Sequence, residues 1–262
     1  MSWSLRFLGV GNAAAVQLGS ASAVIECDGA PSLMIDCGQE ALSAYLSTYG
    51  QVPDALFITH VHMDHVAGLE RLFYRIYFDA ARRGRVRLYV PAAVVPFLQA
   101  RLADYPGVLA EGGANWWDAF QLVPVSRGFW HAGRWHEVFP VRHHLPETAF
   151  GLRLPGSVVW TGDTHPIPEM PARFADAGEL IAHDCGLQGN PSHSGIDDLE
   201  REYPAVLLAR CVLYHYGSVE DGRALRARGH RVADPGESFT LADPQGEFVP
   251  PAVTASTKDP SP

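Results

Sequence analysis

The pattern H-x-H-x-D-H at residues 60–65 constrains this chain more than any other feature. It follows the apolar run Ala55–Ile58, which predicts a buried strand that gives way to a loop. The first two histidines are two residues apart, so both side chains can turn to one side of that loop. The aspartate and the last histidine follow at once and can serve a second ion. Three imidazoles and one carboxylate form a nitrogen and oxygen site that suits zinc and tolerates manganese or iron.

The rest of the chain alternates short apolar or β-branched runs with helix-like segments, which predicts an α/β layered domain. The apolar runs predict strands at Leu5–Leu8, Ser22–Glu26, Ser32–Asp36, Ala55–Ile58, Val86–Val90, Glu137–Val141, Phe150–Leu154, Ser157–Thr161, Leu180–Asp184 and Cys211–Tyr214. Helices are predicted at Glu40–Tyr49, Val66–Arg82, Ala92–Ala103 and Ile196–Tyr203. The first three strands are separated by turns and predict an antiparallel meander. Two waves of strands that end in His or Asp predict a sandwich of two sheets with helices outside.

Composition sets the size and surroundings of this domain. With 262 residues, of which 47% are apolar, the chain can bury a large core, and we expect a single domain over residues 1–249. The tail at 250–262 is rich in Pro, Ser and Thr and is expected to be disordered. No apolar stretch approaches 18 residues, so no membrane association is expected. The four cysteines have no C-x-x-C spacing, which favours reduced thiols in a cytoplasmic protein.

The charge balance narrows the partners. The formal net charge is −9. Binding to duplex nucleic acid depends on Lys and Arg that displace counterions from phosphates, so a duplex partner is not expected.

Taken together and in order, the motifs resemble those of the metallo-β-lactamase superfamily, and in particular its ribonuclease Z-like branch. Besides the H-x-H-x-D-H run, the segments that carry this resemblance are Arg6-Phe7-Leu8-Gly9-Val10-Gly11, Leu33-Met34-Ile35-Asp36-Cys37-Gly38, Val141–His144 followed by Phe150-Gly151-Leu152, Thr161-Gly162-Asp163-Thr164, and Leu213-Tyr214-His215. The resemblance implies a four-layer αββα metallo-β-lactamase sandwich and a site for two divalent metal ions, with zinc the first choice.

The same resemblance assigns the ligands. The first metal would be held by His60, His62 and His143, and the second by Asp64, His65 and His215, with Asp163 bridging both. His144 competes with His143 for the third-motif position. We favour His143, because it lies where the preceding strand is predicted to end.

Two ions about 3.5–4 Å apart clamp an anionic oxygen and lower the pKa of a bridging water, so that hydroxide is available near neutral pH. Asp163 stands where penicillin-cleaving relatives often carry cysteine, and hard oxygen donors favour phosphodiesters. Asp184 and His193 resemble the carboxylate and histidine that protonate the leaving oxygen in the ribonuclease Z-like branch. With Asp64 they are the candidate catalytic residues, although Asp184 is shorter than the usual Glu.

The predicted function is therefore hydrolysis of a small or cyclic nucleotide-type phosphodiester by a dinuclear enzyme. Only Phe150–Gly162 fills the interval in which tRNA-processing relatives carry a long arm, which disfavours folded RNA. Two alternatives stay open: a carboxyl-type hydrolase (a lactonase, thioesterase or β-lactamase-like enzyme) acting on an ester substrate, and a non-catalytic metal-binding protein. Relatives are often dimers, so the resemblance is compatible with a homodimer. The Trp-rich segments at 115–117 and 129–135 could wall a pocket, but core packing is the favoured interpretation.

Overall fold

The structure is a computed structural model that describes residues 1–104, 112–174 and 178–246. The described strands are β1 (Trp3–Gly9), β2 (Ser22–Cys27), β3 (Ala30–Ile35), β4 (Ala55–Phe57), β5 (Val86–Pro91), β6 (Phe120–Val125), β7 (Gly128–His131), β8 (Arg134–Pro140), β9 (Phe150–Leu154), β10 (Val158–Trp160), β11 (Leu180–Asp184), β12 (Cys211–Tyr214), β13 (Arg231–Val232) and β14 (Ser238–Leu241). The described helices are α1 (Ala41–Tyr49), α2 (Met63–Val66), α3 (Gly68–Tyr77), α4 (Val95–Leu98), α5 (Glu169–Phe174), α6 (Ile196–Glu202), α7 (Ala205–Leu208) and α8 (Val219–Ala227). The tail expected to be disordered, 250–262, lies outside the described residues.

The strands form two seven-stranded mixed sheets, and each sheet has a series of antiparallel pairs next to a series of parallel pairs. One has the order β14-β1-β2-β3-β4-β5-β6 and the other β13-β12-β11-β10-β9-β8-β7. In the first sheet β1, β2 and β3 pair antiparallel, as the predicted meander requires, and β3 to β6 pair parallel. In the second sheet β7 to β10 pair antiparallel and β10 to β13 pair parallel. With helices flanking the sheets, this confirms the predicted α/β sandwich.

The central parallel strands position the polar residues. Strands β4, β10, β11 and β12 are buried at every position, as expected for strands covered on both faces. Polar side chains therefore collect where these strands end at their carboxyl edge. Asp36 follows β3, His60 lies three residues beyond β4, Asp163 lies three residues beyond β10, Asp184 ends β11, and His215 follows β12.

Aromatic side chains join the two sheets beneath that edge. Phe7 of β1 packs against Trp160 of β10 and Tyr214 of β12, with ring centroids 5.7 and 6.0 Å apart. Trp160 and Tyr214 stack on each other at 4.2 Å. All three side chains are fully buried. The strand ends that carry the polar residues are therefore supported by close packing between the two sheets.

Two predicted helices have different bounds. The helix predicted at Val66–Arg82 corresponds to α3, which follows the short α2, begins at Gly68 and ends at Tyr77, where the buried apolar stripe stops. Gly68 allows the close approach at the junction, because a Cβ there would lie 2.3 Å from the carbonyl oxygen of Gly38. The helix predicted from Ala92 begins at Val95 and continues as a π-helical turn at Gln99–Ala103.

The strands that sequence patterns missed lie at the sheet edges. Strands β6 and β7 end the two sheets on one side, and β13 and β14 end them on the other. Edge strands are short or partly exposed, so they lack the continuous apolar runs that reveal the central strands. Helices α2, α5, α7 and α8 were also missed. Among the described helices none is long and apolar enough to cross a membrane.

Candidate metal centre

The loop after β4 and the short helix α2 present the residues of the H-x-H-x-D-H run to one place. His60 lies in the extended loop, and His62 precedes α2 with an extended backbone (φ −68°, ψ 150°). Their rings are 4.8 Å apart. Helix α2 then turns Asp64 and His65 back toward the same point, so that the rings of His60 and His65 lie 4.1 Å apart.

One group of potential ligands contains His60, His62, His143 and Asp163. Nε2 of His143 lies 3.0 Å from Nδ1 of His62 and 3.8 Å from Oδ2 of Asp163. Nε2 of His60 lies 3.6 Å from the same carboxylate oxygen. Four ligands about 2.1 Å from a tetrahedral zinc ion are about 3.4 Å from one another, so these separations fit such an ion.

A second group contains Asp64, His65, His215 and, again, Asp163. Oδ2 of Asp163 is 3.1 Å from Nε2 of His65 and 3.3 Å from Nε2 of His215. Oδ2 of Asp64 lies 3.5 Å from each of these two ring nitrogens. The two groups therefore share one carboxylate, as a dinuclear centre requires.

His143, rather than His144, lies among the potential ligands of the first group. Nδ1 of His143 donates to the backbone oxygen of Ser192 (2.9 Å), which leaves Nε2 with a free lone pair inside the first group. Nδ1 of His144 instead contacts the hydroxyl of Thr148, and the side chain is exposed.

Unsatisfied buried atoms test whether the centre fits a metal. Among the described residues, Nε2 of His60 and Oδ1 of Asp163 are buried without a hydrogen-bond partner. Leaving such atoms unpaired costs about 1–3 kcal/mol each, and native structures rarely tolerate several in contact. Because both residues belong to the ligand groups, divalent cations fit the centre.

A layer of residues behind the ligands orients them. Oδ2 of Asp36 accepts hydrogen bonds from Nδ1 of His65 (2.8 Å) and from the hydroxyl of Thr59 (2.7 Å). The Thr59 hydroxyl in turn lies 3.0 Å from Nδ1 of His60, so it accepts the proton of that nitrogen. Both rings therefore turn Nε2 toward the centre. Sequence reasoning gave Asp36 and Thr59 no role, although Asp36 stands in the D-C-G motif.

Backbone strain marks the same place. Asp36 (φ 57°) and His215 (φ 70°) adopt the left-handed conformation that non-glycine residues rarely occupy. Each such residue costs on the order of 1–3 kcal/mol and persists where surrounding contacts demand it. For His215 those contacts include the bond from its amide to the oxygen of Val10, at 2.6 Å.

The first group holds neutral imidazoles. Burial lowers the pKa of His60 well below its ordinary value and lowers the pKa of His143 to about 4. A metal must compete with protons for a ring nitrogen. These two histidines are therefore ready to bind a cation at neutral pH.

In the second group, neighbouring carboxylates outweigh burial and raise the pKa values of the histidines. Burial lowers the pKa of His65, but Asp163 and Asp36 outweigh it and raise that pKa well above its ordinary value. Asp163 and Asp184 likewise overcome burial at His215 and raise its pKa to about 10. Burial would raise the pKa of Asp163, but the charges of His215 and His65 hold it well below its usual range. This concentration of negative charge attracts cations, whether protons or metal ions.

The pair Asp184 and His193 lies against the shared carboxylate. Oδ2 of Asp184 is 2.9 Å from Nδ1 of His193, so the shorter aspartate does reach its partner. The backbone N–H of Thr164 also donates to this oxygen (2.8 Å). Nδ1 of His193 is 4.0 Å from Oδ2 of Asp163, and its ring stacks on that of His215 at 4.7 Å.

A cavity of about 640 Å³ opens above the centre. His62, Asp64, Asp163, His193 and His215 all line it. Small-molecule sites commonly measure about 300–1,000 Å³, so a mononucleotide-sized ligand fits. The Trp-rich segments at 115–117 and 129–135 do not line this cavity; Trp116 is fully buried and packs against Phe120.

Comparison with known proteins identifies the family of this chain. The model of the family described as Anti-Pycsar protein Apyc1 matches residues 3–239. The chain belongs to the Apyc1 family.

Individual Apyc1 proteins are similar in sequence to this chain over most of their length. The Apyc1 of Saccharibacillus brassicae is 32% identical over 221 residues, covering 81% of this chain and 89% of that protein. The Apyc1 of Paenibacillus xerothermodurans is 28% identical and covers 82% and 88% respectively. The ribonuclease Z of Deinococcus radiodurans is 30% identical over 127 residues, covering 44% of this chain and 34% of that protein.

Solved structures identify the fold. A diphosphatase from the PhnP family superposes with a TM-score of 0.72 at 18% identity, covering 90% of this chain and 97% of the other. The metallo-β-lactamase fold protein YhfI from Bacillus subtilis gives 0.68 at 14% identity, with coverage of 92% and 100%. The predicted metallo-β-lactamase fold is therefore confirmed, as is the resemblance to the ribonuclease Z-like branch. With its shared His and Asp groups, this Apyc1-family chain is a metal-dependent hydrolase.

Proposed function

We propose that this chain is a dinuclear phosphodiesterase that hydrolyses a small or cyclic nucleotide-type phosphodiester. The observation that carries the proposal is the Asp184–His193 pair, which stands 4.0 Å from the carboxylate shared by the two ligand groups. Hydrolysis at phosphorus needs a proton donor for the leaving alkoxide, and a histidine backed by a carboxylate can supply it.

The proposed metal ligands are His60, His62 and His143 for one ion and Asp64, His65 and His215 for the other, with Asp163 between them. The all-nitrogen and oxygen donor set favours zinc and accepts manganese or iron. Two such ions, when bound, supply a clamp for an anionic oxygen and a hydroxide near neutral pH.

The residues of the pair divide the work of leaving-group departure. Nδ1–H of His193 donates to Asp184, which fixes the ring and leaves Nε2 for the substrate. As the bond from phosphorus to the leaving oxygen breaks and the bond to the water oxygen forms, the protonated ring of His193 gives its proton to the leaving oxygen. Asp184 stabilises the positive charge of the ring before that transfer.

The turn between β9 and β10 favours a small substrate, and the names of relatives favour cleavage at phosphorus. Strands β9 and β10 pair directly, Leu154 opposite Val158, across a tight turn with Gly156 at φ 76°. No long arm for folded RNA can therefore occupy that interval. Among the relatives, the names ribonuclease Z and diphosphatase both denote cleavage at phosphorus.

The test is an activity screen after reconstitution with zinc, manganese or iron. Turnover of bis-p-nitrophenyl phosphate and of 3′,5′-cyclic nucleotides is expected, with nitrocefin and homoserine lactones left intact. Turnover of only the latter two would replace the proposal with a carboxyl-type hydrolase. Two bound ions per chain with no turnover of any ester would indicate a non-catalytic metal-binding protein.

A further inference from the structure

Part of the wall of the cavity is built by the loop between β1 and β2 together with Glu40. Asn12 to Val16, Ser20 and Glu40 all line the cavity on this side. Val16 is 65% exposed and presents an apolar surface at the rim. None of these residues belongs to the proposed metal groups or to the proton-donating pair.

Backbone hydrogen bonds fix this wall to the metal centre. The amide of Gly11 donates to the oxygen of Gly19 (2.8 Å), and the amide of Ala21 donates to the oxygen of Gly11 (3.2 Å). The amide of Asn12 donates to the oxygen of Tyr216 at 3.3 Å, one residue beyond the proposed ligand His215. The loop is therefore positioned by the same strand end that positions the ligand.

Ser20 orients the carboxylate of Glu40 in this wall. The buried hydroxyl of Ser20 donates to Oε2 of Glu40 at 2.5 Å. Glu40 directly precedes helix α1, yet its side chain makes no capping hydrogen bond to that helix. Among the described residues no Lys or Arg pairs with Glu40, and its Oε1 has no hydrogen-bond partner.

Glycine brings this pair close to the metal centre. A Cβ on Gly38 would lie 1.9 Å from the backbone oxygen of Asp64 and 2.3 Å from Cβ of Ser20. Only glycine allows Ser20 and the Asp64 backbone to approach from both sides. Glu40 lines the cavity, and its hydrogen-bond partner Ser20 packs against Gly38 together with the backbone of the proposed metal ligand Asp64.

We infer that Glu40 accepts a hydrogen bond from an N–H or O–H donor on the nucleoside part of the substrate. This inference rests on the proposed function and adds the orientation of the substrate. A carboxylate outside the proposed metal groups repels the phosphate and attracts a donor, so the phosphate lies toward the metal groups and His193 and the nucleoside lies toward Glu40. The donor is a ribose 2′-hydroxyl or a nucleobase N–H, which share this chemistry.

The test compares substrates with and without a donor. Bis-p-nitrophenyl phosphate has no N–H or O–H donor. The metal-reconstituted wild type is compared with Glu40→Gln and Ser20→Ala on this ester and on the best of the four 3′,5′-cyclic ribonucleotides. A hydrogen bond to a charged group corresponds to about a 10- to 100-fold change in kcat/KM. Glu40→Gln should cause that loss on the nucleotide and leave the synthetic ester unchanged, and Ser20→Ala should cause a smaller loss with the same selectivity.

The 2′-deoxy analogue identifies the donor. If the effect of Glu40→Gln disappears with this analogue, the donor is the ribose hydroxyl; if it persists, the donor is on the base. Glu220→Gln, which removes an exposed carboxylate of α8, is the charge-matched control and should change neither rate.

Four outcomes overturn the inference. Equal losses on both substrates would assign Glu40 a structural role, and no loss on the nucleotide would remove it from substrate binding. If Glu40→Gln does not fold, Ser20→Ala carries the same comparison by itself. A wild type that cleaves the synthetic ester but no nucleotide would refute the nucleoside contact alone, whereas a wild type that cleaves neither would refute the proposed function as well.

Discussion

Two buried histidine clusters in this molecule have opposite chemistry. The metal-centre cluster comprises the residues of the two ligand groups. The sheet-bridging cluster comprises Tyr89, Phe129, His131 and His136 on β5, β7 and β8. In the bridging cluster, Nδ1 of His131 accepts from the Tyr89 hydroxyl (3.2 Å), and Phe129 stacks between Tyr89 (4.0 Å) and His136 (5.1 Å).

The partners of the rings account for the difference. In the bridging cluster, His131 donates to the backbone oxygen of Ser32 and His136 donates to that of Arg134. Among the described residues no carboxylate bonds to either ring. Burial, assisted by the neighbouring His131, lowers the pKa of His136 to about 3, whereas carboxylates at the metal centre raise the pKa of His215 to about 10. Burial of histidines is common to both; only the added carboxylates create a cation site.

The largest expected effect is on the carboxylate that the two ligand groups share. Asp163→Asn removes the negative charge that both groups use, so we expect loss of at least one ion per chain and about a 10³-fold fall in kcat/KM. Metal analysis and kinetics on bis-p-nitrophenyl phosphate measure this. His136→Phe is the matched change in the bridging cluster and should keep both metal and activity. Loss of metal in that variant would mean that the bridging cluster also contributes to metal binding.

The second effect separates metal binding from proton donation. His193→Ala should lower kcat on a cyclic nucleotide by about 10²–10⁴-fold with unchanged metal content. The loss should be much smaller on bis-p-nitrophenyl phosphate, because its leaving group needs no proton. An equal loss on both substrates would mean that His193 does not protonate the leaving oxygen.

A smaller effect concerns the residue behind His65. Asp36→Asn keeps the shape but weakens the hydrogen bond to Nδ1, and such changes typically lower metal affinity about 10–100-fold. Competition with a chelator measures the affinity. Asp54→Asn, at an exposed aspartate on the surface, serves as the control. Unchanged affinity in Asp36→Asn would show that the strain at this residue has another cause.

The smallest effect is on stability and belongs to the bridging cluster. His136 stays neutral in the folded state down to a pKa of about 3, whereas the unfolded chain takes up this proton near its ordinary value of 6.5. The unfolded state therefore binds more protons as the pH falls below 6.5, and the free energy of unfolding decreases. Between pH 7 and pH 5, this residue should lower the free energy of unfolding by about 2 kcal/mol.

Urea denaturation of the wild type and His136→Phe at both pH values isolates this contribution, since the metal centre is common to both proteins. The variant also replaces a buried Nε2 that has no hydrogen-bond partner among the described residues. It should therefore lose less stability than the wild type on acidification. Parallel pH profiles would exclude His136 as the source.

Local sequence patterns predicted much of the fold and of the candidate site. The central strands were predictable because burial on both faces demands continuous apolar runs, as at Leu180–Asp184. The edge strand β6 was not, because it is half-exposed and contains Pro124. The H-x-H-x-D-H run revealed a metal site because its donors are close in sequence.

The sequence by itself determined the α/β sandwich and which residues could donate to a metal, since these follow from side-chain chemistry and hydrophobic periodicity. Only the tertiary structure decided how the distant donors meet. It placed His143 rather than His144 in the first ligand group, joined both groups through Asp163, and brought Asp184 within 2.9 Å of His193. It also turned Glu40 toward the cavity through Ser20, 20 residues away in sequence. Such contacts depend on strand order and on backbone conformations such as the left-handed His215, which no local pattern encodes.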